Sequence, residues 1–108
     1  MIVKAWNKEY NVHIKKSTYA SNNNLAIQLV EDDGAPFAML TVNIDKLPCG
    51  YAYLDTNNCP WAVDFVKDNN LGEFAGSHTV SGFYAYPLFR FYEEVYNNDN
   101  KGIDRGNI

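Results

Sequence analysis

The residues able to do covalent or metal chemistry are few: Cys49, Cys59, His13, His78 and the Ser77 that precedes His78. Zinc sites take paired cysteines or histidines at short spacing. The two cysteines stand ten positions apart, neither belongs to a CxxC, and the histidines fall at unrelated spacings. No metal site is expected, and no cofactor is implied. Cys59 precedes Pro60 at the start of an expected helix, which would make it the more accessible thiol and would lower its pKa through the helix N-terminus. No histidine lies near it in sequence to act as a base, and in a reducing cytoplasm both cysteines are expected as free thiols.

Ser77 and His78 side by side do not make a nucleophile and base. Adjacent residues of an extended chain point to opposite faces, and no acidic group is placed to orient the imidazole. Gly76, Ser77, Ser81 and Gly82 have the composition of a phosphate loop, but such a loop leads from a strand into a helix N-terminus. Here the glycines follow a helix and precede a strand. The sequence therefore predicts a protein that is not an enzyme.

Binding groups are more plentiful. Lys4, Lys8, Lys15 and Lys16 against Glu9 leave the first 24 residues at +3; the rest, with five basic and twelve acidic groups, stands at −7, for a net −4. An acidic body disfavours nucleic acid, whose affinity comes from clustered Lys and Arg. It favours a basic protein surface, with Asp32, Asp33, Asp64, Asp68, Glu93 and Glu94 as the acidic candidates; the same charge also serves solubility. A second candidate set is the turn Asp55, Asn57 and Asn58 with the rings of Tyr84 and Tyr86, where amides would hydrogen-bond a small ligand and aromatics would stack on it.

The elements that must position these groups form one small domain. With 108 residues, 46% hydrophobic and 15% aromatic, the chain can bury one core. The expected boundaries are a single α+β domain over residues 1–96 and a flexible tail over 97–108, where NNDNKGIDRGNI has little to bury. No apolar run reaches about 18 residues, and MIVKAWNKEY lacks the order of a signal peptide, so a soluble cytoplasmic protein is expected, with no membrane partner.

Tyr10, Val12 and Ile14 alternate with Asn11, His13 and Lys15, the period of a half-buried strand with His13 outward. STYASNNN at 17–24 reads as a connection. Residues 25–30 and 37–44 flank Asp33-Gly34, a hairpin signal. Residues 51–54 read as a further strand. Asp55-Thr56-Asn57-Asn58 then opens a helix, with Asn58 or Thr56 as N-cap and Pro60 in the first turn. Trp61, Ala62, Phe65 and Val66 form its apolar stripe, with Trp61 as a core anchor. The helix stops at Asn69-Asn70-Leu71-Gly72. From Phe83 to Tyr92 a two-sided aromatic strand runs through Pro87, which belongs at an edge or a bulge. The fold class is α+β: an antiparallel sheet of about four to five strands with one short helix packed on it.

Three segments, LAIQLVEDDGAPFAMLTVNI at 25–44, DTNNCPWAVDFVKDNNLG at 55–72 and SGFYAYPLFRF at 81–91, resemble a family of small proteins built on a domain of unknown function, found in Gram-positive bacteria, their phages and conjugative elements. The resemblance covers roughly residues 25–91. It implies an α+β fold and a mobile-element setting, and brings no catalytic residue. Small acidic proteins of such elements often inhibit host defence nucleases, an analogy rather than a deduction. The expected function is that of a phage or mobile-element accessory protein acting by protein–protein interaction on a host protein with a basic surface, such as a CRISPR effector or restriction enzyme. The alternative is a small-molecule or nucleotide-binding module without catalysis.

Overall fold

A computed structural model of the chain describes residues 1–97, so the tail expected over 97–108 lies outside the described residues apart from Asn97. Two four-stranded antiparallel sheets share one hydrophobic core. The first is a meander of β1 (Ile2–Ala5), β2 (Lys8–Thr18), β3 (Leu25–Glu31) and β4 (Pro36–Met39). The second has the order β5-β6-β8-β7, from β5 (Thr41–Val42), β6 (Tyr51–Leu54), β7 (Gly72–Ser81) and β8 (Tyr84–Phe91). Helices α1 (Ala62–Asp68) and α2 (Glu93–Tyr96) complete an α+β architecture, with more strands than a single sheet of four or five and a second helical turn.

The Asp33-Gly34 turn forms as its residue types dictate. Gly34 has φ 94°, Gly34 N–H donates to the Glu31 carbonyl, and Asp33 Oδ1 accepts from Ala35 N–H. The partner run does not stay in one sheet. At Leu40, which is fully buried, the backbone bonds both ways: its N–H donates to Ile27 and its carbonyl accepts from Asp55. That crossing splits the expected strand 37–44 into β4 and β5 and ties the two sheets together. Thr41 Oγ1, also buried, accepts from Ile27 N–H.

Helix α1 starts later than the cap signals predict. Its N-cap is Trp61, without a side-chain bond. Asp55 instead closes the preceding turn, its Oδ1 accepting from Asn58 N–H at 3.2 Å and its Oδ2 from Asn58 Nδ2 at 2.9 Å. The helix begins only past that turn, at Ala62, so neither Asn58 nor Thr56 stands at its N-cap position, which corrects that assignment. The helix ends in a Schellman arrangement: Asn70 is left-handed at φ 54°, its N–H donates to Lys67, and Leu71 N–H donates to Val66. Ala62, Phe65 and Val66 face the core and Trp61 is 8% exposed, as the stripe requires.

The segment before the aromatic strand is itself a strand. Residues 72–81 pair with β8 from Gly72↔Phe91 to Ser81↔Tyr84, with an irregularity between Phe74 and His78. Pro87 sits opposite His78 at the end of that bulge, and beyond the last β6 partner, Leu88. A proline is tolerated there because no ladder needs its missing N–H. The period-two signal of β7 is hidden because almost none of it is buried.

Candidate functional site

The groups that could do chemistry are dispersed. Cys59 is buried and Cys49 exposed, which reverses the expected order of access. The Cys59 side chain turns into the core, with its thiol 3.5 Å from the Met39 carbonyl, three residues before the helix begins. Burial, followed by the nearby Asp55 charge, pushes its pKa up to about 11, the opposite of activation. His13 is exposed as predicted and lies 4.0 Å from Asp32. His78 is exposed on β7 and meets the Phe74 ring at 5.2 Å. Among the described residues no group of three or more His, Cys, Asp or Glu could hold a metal ion.

The predicted binding residues do not converge, and they are exposed except for half-buried Asp55 and buried Tyr86. Asp32 and Asp33 lie on the β3–β4 turn, Asp64 and Asp68 on α1, and Glu93 and Glu94 on α2, all solvent-facing. Asp55 and Asn58 satisfy one another, with Asn57 exposed between them. Tyr84 and Tyr86 neighbour each other on β8 at 5.7 Å between ring centroids, Tyr84 exposed and Tyr86 9% exposed. The shallow cavity nearest both sets, about 320 Å³, is lined by Thr56, Val63, Lys67, Phe74, His78 and Pro87 among others, and by none of these five.

A larger recess of about 780 Å³ brings Lys16, Lys46, Cys49, Asn23, Glu93 and Tyr96 together from four parts of the chain. Lys16 Nζ donates to the Tyr96 carbonyl at 2.7 Å and Lys46 Nζ to the Asn22 carbonyl at 2.5 Å. Asn24, 4% exposed, locks the wall: its Nδ2 donates to Asp45 O and Asn43 Oδ1 and its Oδ1 accepts from Leu47 N–H. Glu93 thus stands beside cations rather than on a purely acidic face. Sequence spacing could not reveal this grouping, because it is assembled by contacts such as the one between Lys16 and Tyr96, 80 positions apart.

The most unusual surface is one the candidate residues touch only at Tyr84 and Tyr86. The β7–β8 hairpin exposes Phe74 at 44%, Val80 at 72% and Phe83 at 108%. Its turn is Gly82-Phe83, with Gly82 at φ 64°, the glycine-first order of a type II′ turn. Phe83 therefore belongs to the turn and not to the strand. Residues 74–89 contain no Asp, Glu, Lys or Arg, in a chain where such residues make up 20%. That charge-free run, with Ser-Gly between two β-rich stretches, was the signal available in the sequence.

A family model described as "Domain of unknown function (DUF4313)" matches residues 13–106, a wider span than the 25–91 carrying the resemblance. No curated protein matches the chain, and no solved structure does.

Proposed function

For this chain, which belongs to the DUF4313 family, we propose a non-catalytic role: an accessory protein that binds a basic surface of another protein. The observation that supports it is the segregation of charge. Asp32, Asp33, Asp64, Asp68, Glu93 and Glu94 are all exposed, on a turn and two short helices, while residues 74–89 carry none. Complementary charge steers encounter and selects partners without any covalent step. The raised pKa of Cys59 leaves it a neutral thiol at physiological pH, which also favours binding over nucleophilic chemistry. The resemblance of the three motifs to proteins of phages and conjugative elements supports a cytoplasmic host protein as the partner, with a CRISPR effector or restriction enzyme as the class to look for.

The test is affinity capture from a Gram-positive host lysate, followed by mass spectrometry, with the wild-type chain and a form carrying Asp32→Lys, Asp33→Lys, Glu93→Lys and Glu94→Lys. A stoichiometric protein held by the first and lost by the second supports the proposal. A partner held equally by both overturns the acidic footprint. A copurifying metabolite instead would favour a small-molecule module at the recess around Lys16 and Lys46.

A further inference from the structure

We propose that the β7–β8 hairpin is a self-association surface, on which the free edge of β7 pairs antiparallel with the same edge of a second copy. Strand β7 ends the order β5-β6-β8-β7, so among the described residues one side of it has no strand partner. An unpaired edge is a template for another strand unless charges, prolines or twists protect it. The proximal half is protected: Glu73 is bonded to Arg90, and the irregularity with Gly76 at φ 91° bends the strand. The distal half, His78 to Ser81, carries no such device.

The register says which groups are available. A two-residue turn is closed by a pair that exchanges both hydrogen bonds, here Ser81 and Tyr84; bonded and non-bonded pairs then alternate along the ladder. Val80↔Ala85 and His78↔Pro87 are thus the non-bonded pairs, a position that suits a proline. The N–H and C=O groups of His78 and Val80 face the open edge. Two copies satisfy all of them when His78 of each pairs with Val80 of the other, which places Thr79 opposite Thr79 on the two-fold axis. The interface is self-complementary as a two-fold contact must be.

Charge makes this hairpin the place where a second copy can dock. Two chains of net −4 repel over most of their surface, and residues 74–89 are where they can meet without opposing charges. The exposed Val80 and Phe83 side chains flank the seam and would be covered by it. One carboxylate approaches: Asp45 Oδ2 lies 3.3 Å from Thr79 Oγ1, so pairing brings two Asp45 groups towards the axis. Association should therefore strengthen with added salt, as screening relieves that repulsion.

Sedimentation of the full chain over a concentration series should show a monomer–dimer equilibrium that tightens with salt. Val80→Pro removes an edge-facing donor without touching the β7–β8 ladder. By symmetry two hydrogen bonds go, and dimerisation should weaken about tenfold or more, with an unchanged circular dichroism spectrum. In a Cys49→Ser background, Thr79→Cys should oxidise to a covalent dimer, because non-bonded antiparallel pairs lie within disulfide reach; Phe74→Cys should not. A chain that stays monomeric at about 1 mM overturns the proposal. So does a dimer that is indifferent to Val80→Pro and fails to cross-link through position 79, as would follow if the hairpin serves a different protein.

Discussion

Gly72 lies so close to Arg90 that a β-carbon built on it would stand 2.6 Å from the Arg90 carbonyl oxygen and 3.0 Å from the Phe91 Cα. Its φ is not left-handed, so the requirement is room rather than backbone freedom. The first residue of β7 is thereby pressed onto β8, and the neighbouring Glu73 carboxylate reaches the Arg90 guanidinium at 3.0 Å. Both groups of that ion pair are exposed, so it contributes little.

Gly72→Ala should accordingly cost about 1–3 kcal/mol, the range for overpacking against groups that cannot yield. Urea unfolding measures it. A midpoint equal to that of the wild type would mean that the two backbones are not in contact.

Asn70 holds the left-handed position at the end of α1, where glycine carries no penalty and a β-branched residue carries a large one. Asn70→Gly should be neutral or slightly stabilising, and Asn70→Val should cost about 1–2 kcal/mol. Gly34→Val, at φ 94°, should cost about 1 kcal/mol or more by the same reasoning. Equal thermal midpoints for Asn70→Gly and Asn70→Val would remove the strain argument.

The helix stop was legible in Asn69-Asn70-Leu71-Gly72, but the roles were not: Asn70 makes the turn, while Gly72 answers a contact with β8. Local signals, Asp33-Gly34 and the Trp61, Ala62, Phe65, Val66 stripe, reached the fold because a turn bond and a helical period are each set within a few residues of chain. Strand β7 was illegible because exposure on both faces erases alternation, and β1 because its turn is an unusual pair, Trp6 and Asn7, both left-handed. The burial of Cys59 is not encoded locally either: the helix begins at Ala62, and Cys59 lies in the turn before it with its side chain in the core. The recess around Lys16 and Lys46 depends on contacts that no spacing encodes.

Trp61 joins Phe37 at 5.7 Å and Phe65 at 6.1 Å between ring centroids, in a chain of rings that continues through Tyr10 to Trp6. Its Nε1 is buried without an acceptor among the described residues. Trp61→Ala should cost about 3–5 kcal/mol. Trp61→Phe should cost less than about 1.5 kcal/mol, since the smaller ring removes an unsatisfied donor along with volume. Chemical denaturation of both variants tests the order; a Phe variant as damaged as the Ala variant would show that the indole N–H is satisfied.

Cys59 gives a pH dependence with a definite sign. Its folded pKa, about 11, lies above its ordinary value of 9.0. The stability that favours the neutral thiol is fully present below about pH 9 and is lost as the pH rises through 9 to 11. Cys59→Ala should flatten the decline in that window. At pH 8, iodoacetamide should modify Cys49 and leave Cys59 untouched in the folded chain, as peptide mapping would read. Equal labelling of the two would contradict the burial of Cys59.

The acidic footprint and the hairpin seam respond to salt in opposite directions, which separates them. Encounter between exposed carboxylates and a basic partner is screened beyond about 8 Å at physiological ionic strength, so association with the captured protein should slow as salt is added. Asp32→Lys with Asp33→Lys, or Glu93→Lys with Glu94→Lys, should slow it by about tenfold at whichever pair belongs to the footprint, while stability moves by less than about 0.5 kcal/mol. The Glu93 pair has the weaker claim, because Lys16 and Lys46 share its recess. Stopped-flow association at two salt concentrations decides between them. A rate that ignores salt and both double reversals would move the contact to the uncharged hairpin, where Val80→Pro becomes the next variant to measure.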